Sequence, residues 1–105
     1  MSNSSPGVYL IVQFNWPPDF TREMADGARD LHAALKDADW IQEVLAASGG
    51  LGAGPSSIWI FRLQGYASLD RLLHDREDPI SKAYVMFFSH MADISESIRE
   101  QVVFR

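Results

Sequence analysis

The chain has 105 residues, enough for one hydrophobic core and too few for two independent ones. An apolar share of 47% against a charged share of 22% marks a globular domain rather than a disordered segment. The net charge of -5, with no Lys/Arg cluster, argues against nucleic acid and anionic membranes as partners, and the absence of cysteine removes disulfides, thiolate metal sites and cysteine nucleophiles.

Residues 1–7 carry no positive charge, and the apolar run behind them extends only over Val8–Val12. That is neither a signal peptide nor a membrane span, so a disordered tail over 1–7, a single domain over 8–105 and a cytoplasmic location are expected. Val8–Phe14 is nearly continuous in β-formers and is predicted as a strand that stops at Trp16-Pro17-Pro18, because proline cannot donate to a ladder. Asp19 is expected to cap a helix to about Lys36, with Phe20, Met24, Ala28, Leu31 and Leu35 on one face. Trp40–Ala46 reads as a second strand. The glycine-rich stretch Ser48–Ser56 lacks the Gly-Lys-Ser/Thr ending of a phosphate loop and leads into a strand, so it is predicted as a hairpin connection.

Ser57–Leu63 reads as the third strand and Ser68 as the cap of a short helix through Leu69, Leu72 and Leu73. Asp78-Pro79 then starts a strongly apolar helix. Asp78 supplies a capping carboxylate, and Pro79 sits where its missing N–H costs nothing. Ile80, Tyr84, Phe87, Met91, Ile94 and Ile98 recur at steps of four and three, predicting a helix to about Ile98 and a short last strand over Gln101–Phe104. The order β-α-β-β-α-α-β predicts an α+β, ferredoxin-like split βαβ plait: a four-stranded antiparallel sheet with helices on one face. The strands are apolar on both faces, and an uncovered apolar face of that size calls for a second copy packed sheet to sheet, hence a homodimer.

A strand (Ser57–Leu63), a short Ser-Leu-type helix (Ser68–Leu73) and an Asp-x-x-x-Lys-Ala-aromatic helix start (Asp78–Tyr84) resemble the dimeric α+β barrel superfamily. That superfamily includes antibiotic-biosynthesis monooxygenase-like proteins, small lactone isomerases and ethyl-ether-degradation-type proteins. The resemblance implies a small enzyme with a cavity between helices and sheet in each subunit. It implies cofactor-independent oxygenation, isomerisation or cyclisation of an apolar aromatic or polyketide-like molecule, as in natural product biosynthesis. The histidine and tryptophan of a haem-degrading branch are absent here, where Tyr84-Val85 and Arg62-Leu63 stand, and Asn15 alone does not make a haem site.

Three histidines are candidates for proton transfer. His32 lies on the flank of the first helix, and His74 ends the short helix among charged residues. His90 sits at the edge of the apolar stripe, where it either bonds a backbone carbonyl or faces a cavity as an acid/base near neutral pH. Asn15 and Gln13 on the first strand, and Arg62 on the third, are either the strands' polar exits and a seam charge or donors that polarise a substrate oxygen. Trp59, Tyr84 and Phe87 are either core or the walls of a substrate pocket. No ligand-type histidine spacing, nucleophile elbow or glycosidase carboxylate pair stands out, so no metal is expected. A non-catalytic small-molecule-binding dimer is the alternative to an enzyme.

Overall fold

The computed structural model describes residues 7–104. Its elements are β1 (Val8–Asn15), α1 (Arg22–Asp37), β2 (Ile41–Ser48), β3 (Ser57–Leu63), α2 (Tyr66–His74), α3 (Pro79–Ser89) and β4 (Ala92–Glu100). The strands form one antiparallel sheet in the order β2-β3-β1-β4, the expected ferredoxin-like plait. Of the expected tail, residues 1–6 lie outside the described residues. Gly7 is buried: its N–H donates to Gln101 Oε1 at 3.0 Å, and its carbonyl accepts from Gln101 N–H at 2.8 Å. A Cβ there would come within 3.1 Å of the Leu63 carbonyl, a close approach that a larger residue would have to widen by a few tenths of an ångström.

Directly paired residues share a face, and the register therefore sorts the sheet into two surfaces. Against the helices lie the rows Ile41–Leu63–Val8–Glu100, Val44–Phe61–Leu10–Ile98 and Ala46–Trp59–Val12–Glu96. On the other side lie Glu43–Arg62–Tyr9–Arg99, Leu45–Ile60–Ile11–Ser97 and Ala47–Ile58–Gln13–Ser95. Helix residues Leu31, Leu35, Leu69, Leu72, Tyr84, Phe87 and Phe88 seal the first surface into a core. Among the described residues, nothing covers the second.

Helix α3 is shorter than its periodicity predicts, and β4 begins earlier. His90 and Met91 donate to the carbonyls of Phe87 and Phe88 at 3.2 and 3.1 Å, tightening the last turn, and Asp93 takes a positive φ of 55° that redirects the chain. Ile94 and Ile98 then belong to β4 rather than to the helix, and residues 101–104 follow it without regular structure. The reason is arithmetic: a four-residue step keeps two side chains on one face of a strand as well as of a helix. Pairing with the free edge of β1 decides for the strand. At the other helices Thr21, not Asp19, caps α1, its Oγ1 accepting from Met24 N–H at 3.2 Å, and α2 starts at Tyr66, ahead of Ser68.

The start of α3 is held as expected, and more firmly. Asp78 Oδ1 accepts from the N–H groups of Ile80 (2.8 Å) and Ser81 (3.4 Å), while Oδ2 accepts from Arg71 Nε at 2.7 Å. The Arg71 guanidinium lies 4.1 Å from the ring centre of Trp40, so one buried carboxylate ties α3, α2 and the approach to β2 together. Burial by itself would raise the Asp78 pKa. The Arg71 hydrogen bond, the two backbone donors and the Arg71 charge outweigh it and hold the carboxyl below its ordinary 3.8. A carboxyl depressed in the folded state adds stability above its unfolded value and loses it as pH falls through the folded one. Asp78→Ala is expected to cost about 2 kcal/mol in urea unfolding at neutral pH, and Asp78→Asn, which keeps a capping oxygen, about 1 kcal/mol. Asp78→Asn should also flatten the acid limb of the stability curve; an acid limb as steep as wild type would assign it to other carboxylates.

Candidate functional site

The layer between helices and sheet is filled by aromatic rings. Trp59 packs against Phe87 and Phe88 with centroids 5.6 Å from each, Tyr84 lies 4.8 Å from Phe88 and 5.5 Å from Phe61, and Phe14 lies 5.2 Å from Phe88. Such edge-on and tilted contacts are those of a packed core. Of the two readings open for Trp59 and Tyr84, core or pocket wall, both side chains are buried in the core. The Tyr84 hydroxyl donates to Glu96 Oε2 at 2.6 Å, and burial, with that bond and the carboxylate's charge, pushes its pKa far above the ordinary phenol range.

Open volume lies instead between α1 and α3, as a groove of about 730 Å³. That is the scale of small-molecule sites. Buried Leu31, Phe87 and Met91 form its floor, Met24, Gly27, Ala34 and Ala83 its sides, and exposed Glu23, Asp30, Met86 and His90 its rim. Gly27 sits in the middle of α1, where glycine costs a helix about 1 kcal/mol relative to alanine. A Cβ built on it meets nothing within 4 Å. Nothing in the packing demands glycine there; its effect is to leave the groove wide. Three of the chain's four methionines line the same space, and their flexible, polarisable side chains suit an adaptable apolar surface.

Of the side chains singled out in the sequence, the groove brings together His90 and Phe87. His90 caps α3 at its C-terminus with its ring exposed at the rim. Asn15 is engaged elsewhere: its Nδ2 donates to Asp93 Oδ2 at 3.0 Å, and its Oδ1 accepts from the Ser56 N–H (3.0 Å) and hydroxyl (3.2 Å), joining the ends of β1, β3 and β4. Gln13 and Arg62 lie on the sheet surface that faces away from the helices, and the Arg62 Nε is buried there without a hydrogen-bond partner. His32 stands edge-on to Trp59 at 5.7 Å, and His74 bonds Asp70 at 2.9 Å. Sequence reasoning missed Gly27, Met24, Met86 and the rim carboxylates Glu23 and Asp30. A glycine inside an otherwise good helix is the one signal that could have drawn attention to them.

No protein-family model matches the sequence, and no functionally curated protein matches it. Solved structures do match its fold. A dimeric ferredoxin-like protein of unknown function from Thermobifida fusca aligns with a TM-score of 0.71 at 17% identity, covering 91% of this chain and 92% of its own. The hydroxynitrile lyase of Passiflora edulis aligns with a TM-score of 0.74 at 14% identity over 95% and 98% of the two chains. An ethyl tert-butyl ether degradation family protein from Bacillus halodurans gives 0.64 at 16% identity over 91% and 99%. At these identities the likeness establishes the fold, one that dimeric proteins and at least one enzyme share. Among the described residues no helix is long and apolar enough to cross a membrane.

The groove makes glycine at position 27 separable from stability. Gly27→Leu is expected to raise the unfolding free energy by about 0.5–1 kcal/mol through helix propensity while abolishing binding of an apolar dye such as Nile red. Unchanged dye binding in a stabilised variant would place the dye elsewhere.

Proposed function

We propose that this protein is a homodimeric, small-molecule-transforming enzyme whose substrate lies in the groove between α1 and α3, with His90 as the proton-transfer group. The observation that carries the reading is Gly27. A helix accepts its least favourable ordinary residue at the point where an apolar groove with an imidazole on its rim gains room. Phe87, Met91 and Leu31 hold the apolar body of the substrate and exclude water from one side. His90 takes or returns a proton at a polar atom near the rim, as isomerisations, cyclisations and cleavage of a hydroxynitrile all require. The core position of Trp59, against Phe87, makes it a reporter of occupancy.

A non-catalytic binder is the second reading, and one observation favours it. No Arg, Lys, Asn or Gln lines the groove beside His90, so the residues at hand supply no amide or cation to hold a developing oxyanion. Turnover separates the two. A panel of aromatic hydroxynitriles, lactones and polyketide-like phenols is incubated with wild type and with His90→Gln, and products are read by mass spectrometry. The expected result is conversion by wild type that falls about 100-fold or more in His90→Gln, with Nile red binding retained. Bound but chemically unaltered compounds would support the binder.

The dimer rests on the uncovered sheet surface, where Ile11, Ile58, Ile60 and Leu45 form an apolar centre and Arg62 lacks an acceptor. Structures of the same fold described as dimeric support it. Ile60→Glu is expected to reduce the mass in sedimentation equilibrium from two chains to one. A wild-type monomer at micromolar concentration would contradict it.

A further inference from the structure

Resting on the groove as the ligand site, we propose that it selects by charge: it takes a molecule with an apolar body and a cationic, amine-type head, and it discriminates against carboxylates. The groove's titratable lining consists of Glu23, Asp30 and His90, with no Lys or Arg among the lining residues. The two carboxylates lie seven residues apart on α1, which puts them on one face about 10 Å apart along the axis. Both are free of ion pairs and of side-chain hydrogen bonds within the described residues. Asp26, between them in sequence and outside the groove, is by contrast neutralised by Arg29 at 3.3 Å. The unneutralised pair therefore faces the volume a ligand would fill, and the paired one does not.

Electrostatics beyond the groove act in the same direction. The chain's net charge of -5 attracts cations and repels anions at long range. An anion seated on Met24, Leu31 and Met91 would bring a third negative charge beside two that lack counter-charges, whereas an ammonium group would supply the missing partner. The apolar floor gives affinity without regard to sign, and the rim sets which head group is tolerated.

The test uses the intact protein and Nile red as the reporter, displaced by decylamine, decanol and decanoate, which share one chain length. Decylamine is expected to displace the dye at a concentration about tenfold or more below that of decanoate, with decanol between them and the gap narrowing as salt is raised. Glu23→Gln/Asp30→Asn, its folding checked by thermal melting, should bring amine and carboxylate within about twofold of each other. Equal displacement by amine and carboxylate at a site that Gly27→Leu closes would overturn the charge inference and leave the groove standing. A preference that persists in the double variant would overturn it too. Dye binding that ignores Gly27→Leu, with none of the three compounds competing, would instead remove the groove itself as the site.

Discussion

A sheet with apolar side chains on both surfaces has to be covered twice, and this chain carries helices for one side. That constraint orders the rest of the molecule. α1, α2 and α3 all lie against the surface made by Leu10, Val12, Trp59 and Phe61, and they close it with rings from α3 packed on Trp59 and Phe61. The opposite surface, centred on Ile11 and Ile60, has no covering element among the described residues. The described residues form two layers, one of helices and one of sheet.

The inner layer is packed with aromatic rings, and a groove lies where two helices meet each other. α1 and α3 are both short of bulk at their contact, through Gly27 and Ala34 on one and Ala83 on the other. Asp78 indirectly sets where this happens. By capping α3 and gripping Arg71 it fixes the helix that carries Phe87 to the floor and His90 to the rim. Residues remote from the groove thus govern its shape, and the helix propensity forgone at Gly27 is offset by packing elsewhere.

Much of the fold was legible in the sequence, because the features that define it are local. Near-continuous runs of β-formers bounded by Pro and Gly marked β1 and β3, and Asp78-Pro79 marked the start of α3. The end of α3 was not legible, since Ile94 and Ile98 suit a helical and a strand period equally and only pairing with β1 separates them. The candidate residues divide by where strand register and helix packing place them. His90 and Phe87 meet in the groove, but Arg62 and Gln13 fall on the far surface of the sheet, which depends on strand register that no local pattern reveals. Trp59 and Tyr84 illustrate the same limit: aromatic residues at strand and helix spacing read alike whether they line a cavity or fill it.

The position of the ligand relative to the sheet carries the account, and methionine methyl groups report it directly. Met24, Met86 and Met91 line the groove, and Met1 is the fourth methionine in the chain. In protein labelled with carbon-13 at the methionine methyls, titration with an apolar amine should shift the signals of Met24, Met86 and Met91 together and saturably. Saturable binding that leaves those three signals in place would put the ligand somewhere other than between α1 and α3, and would contradict the account.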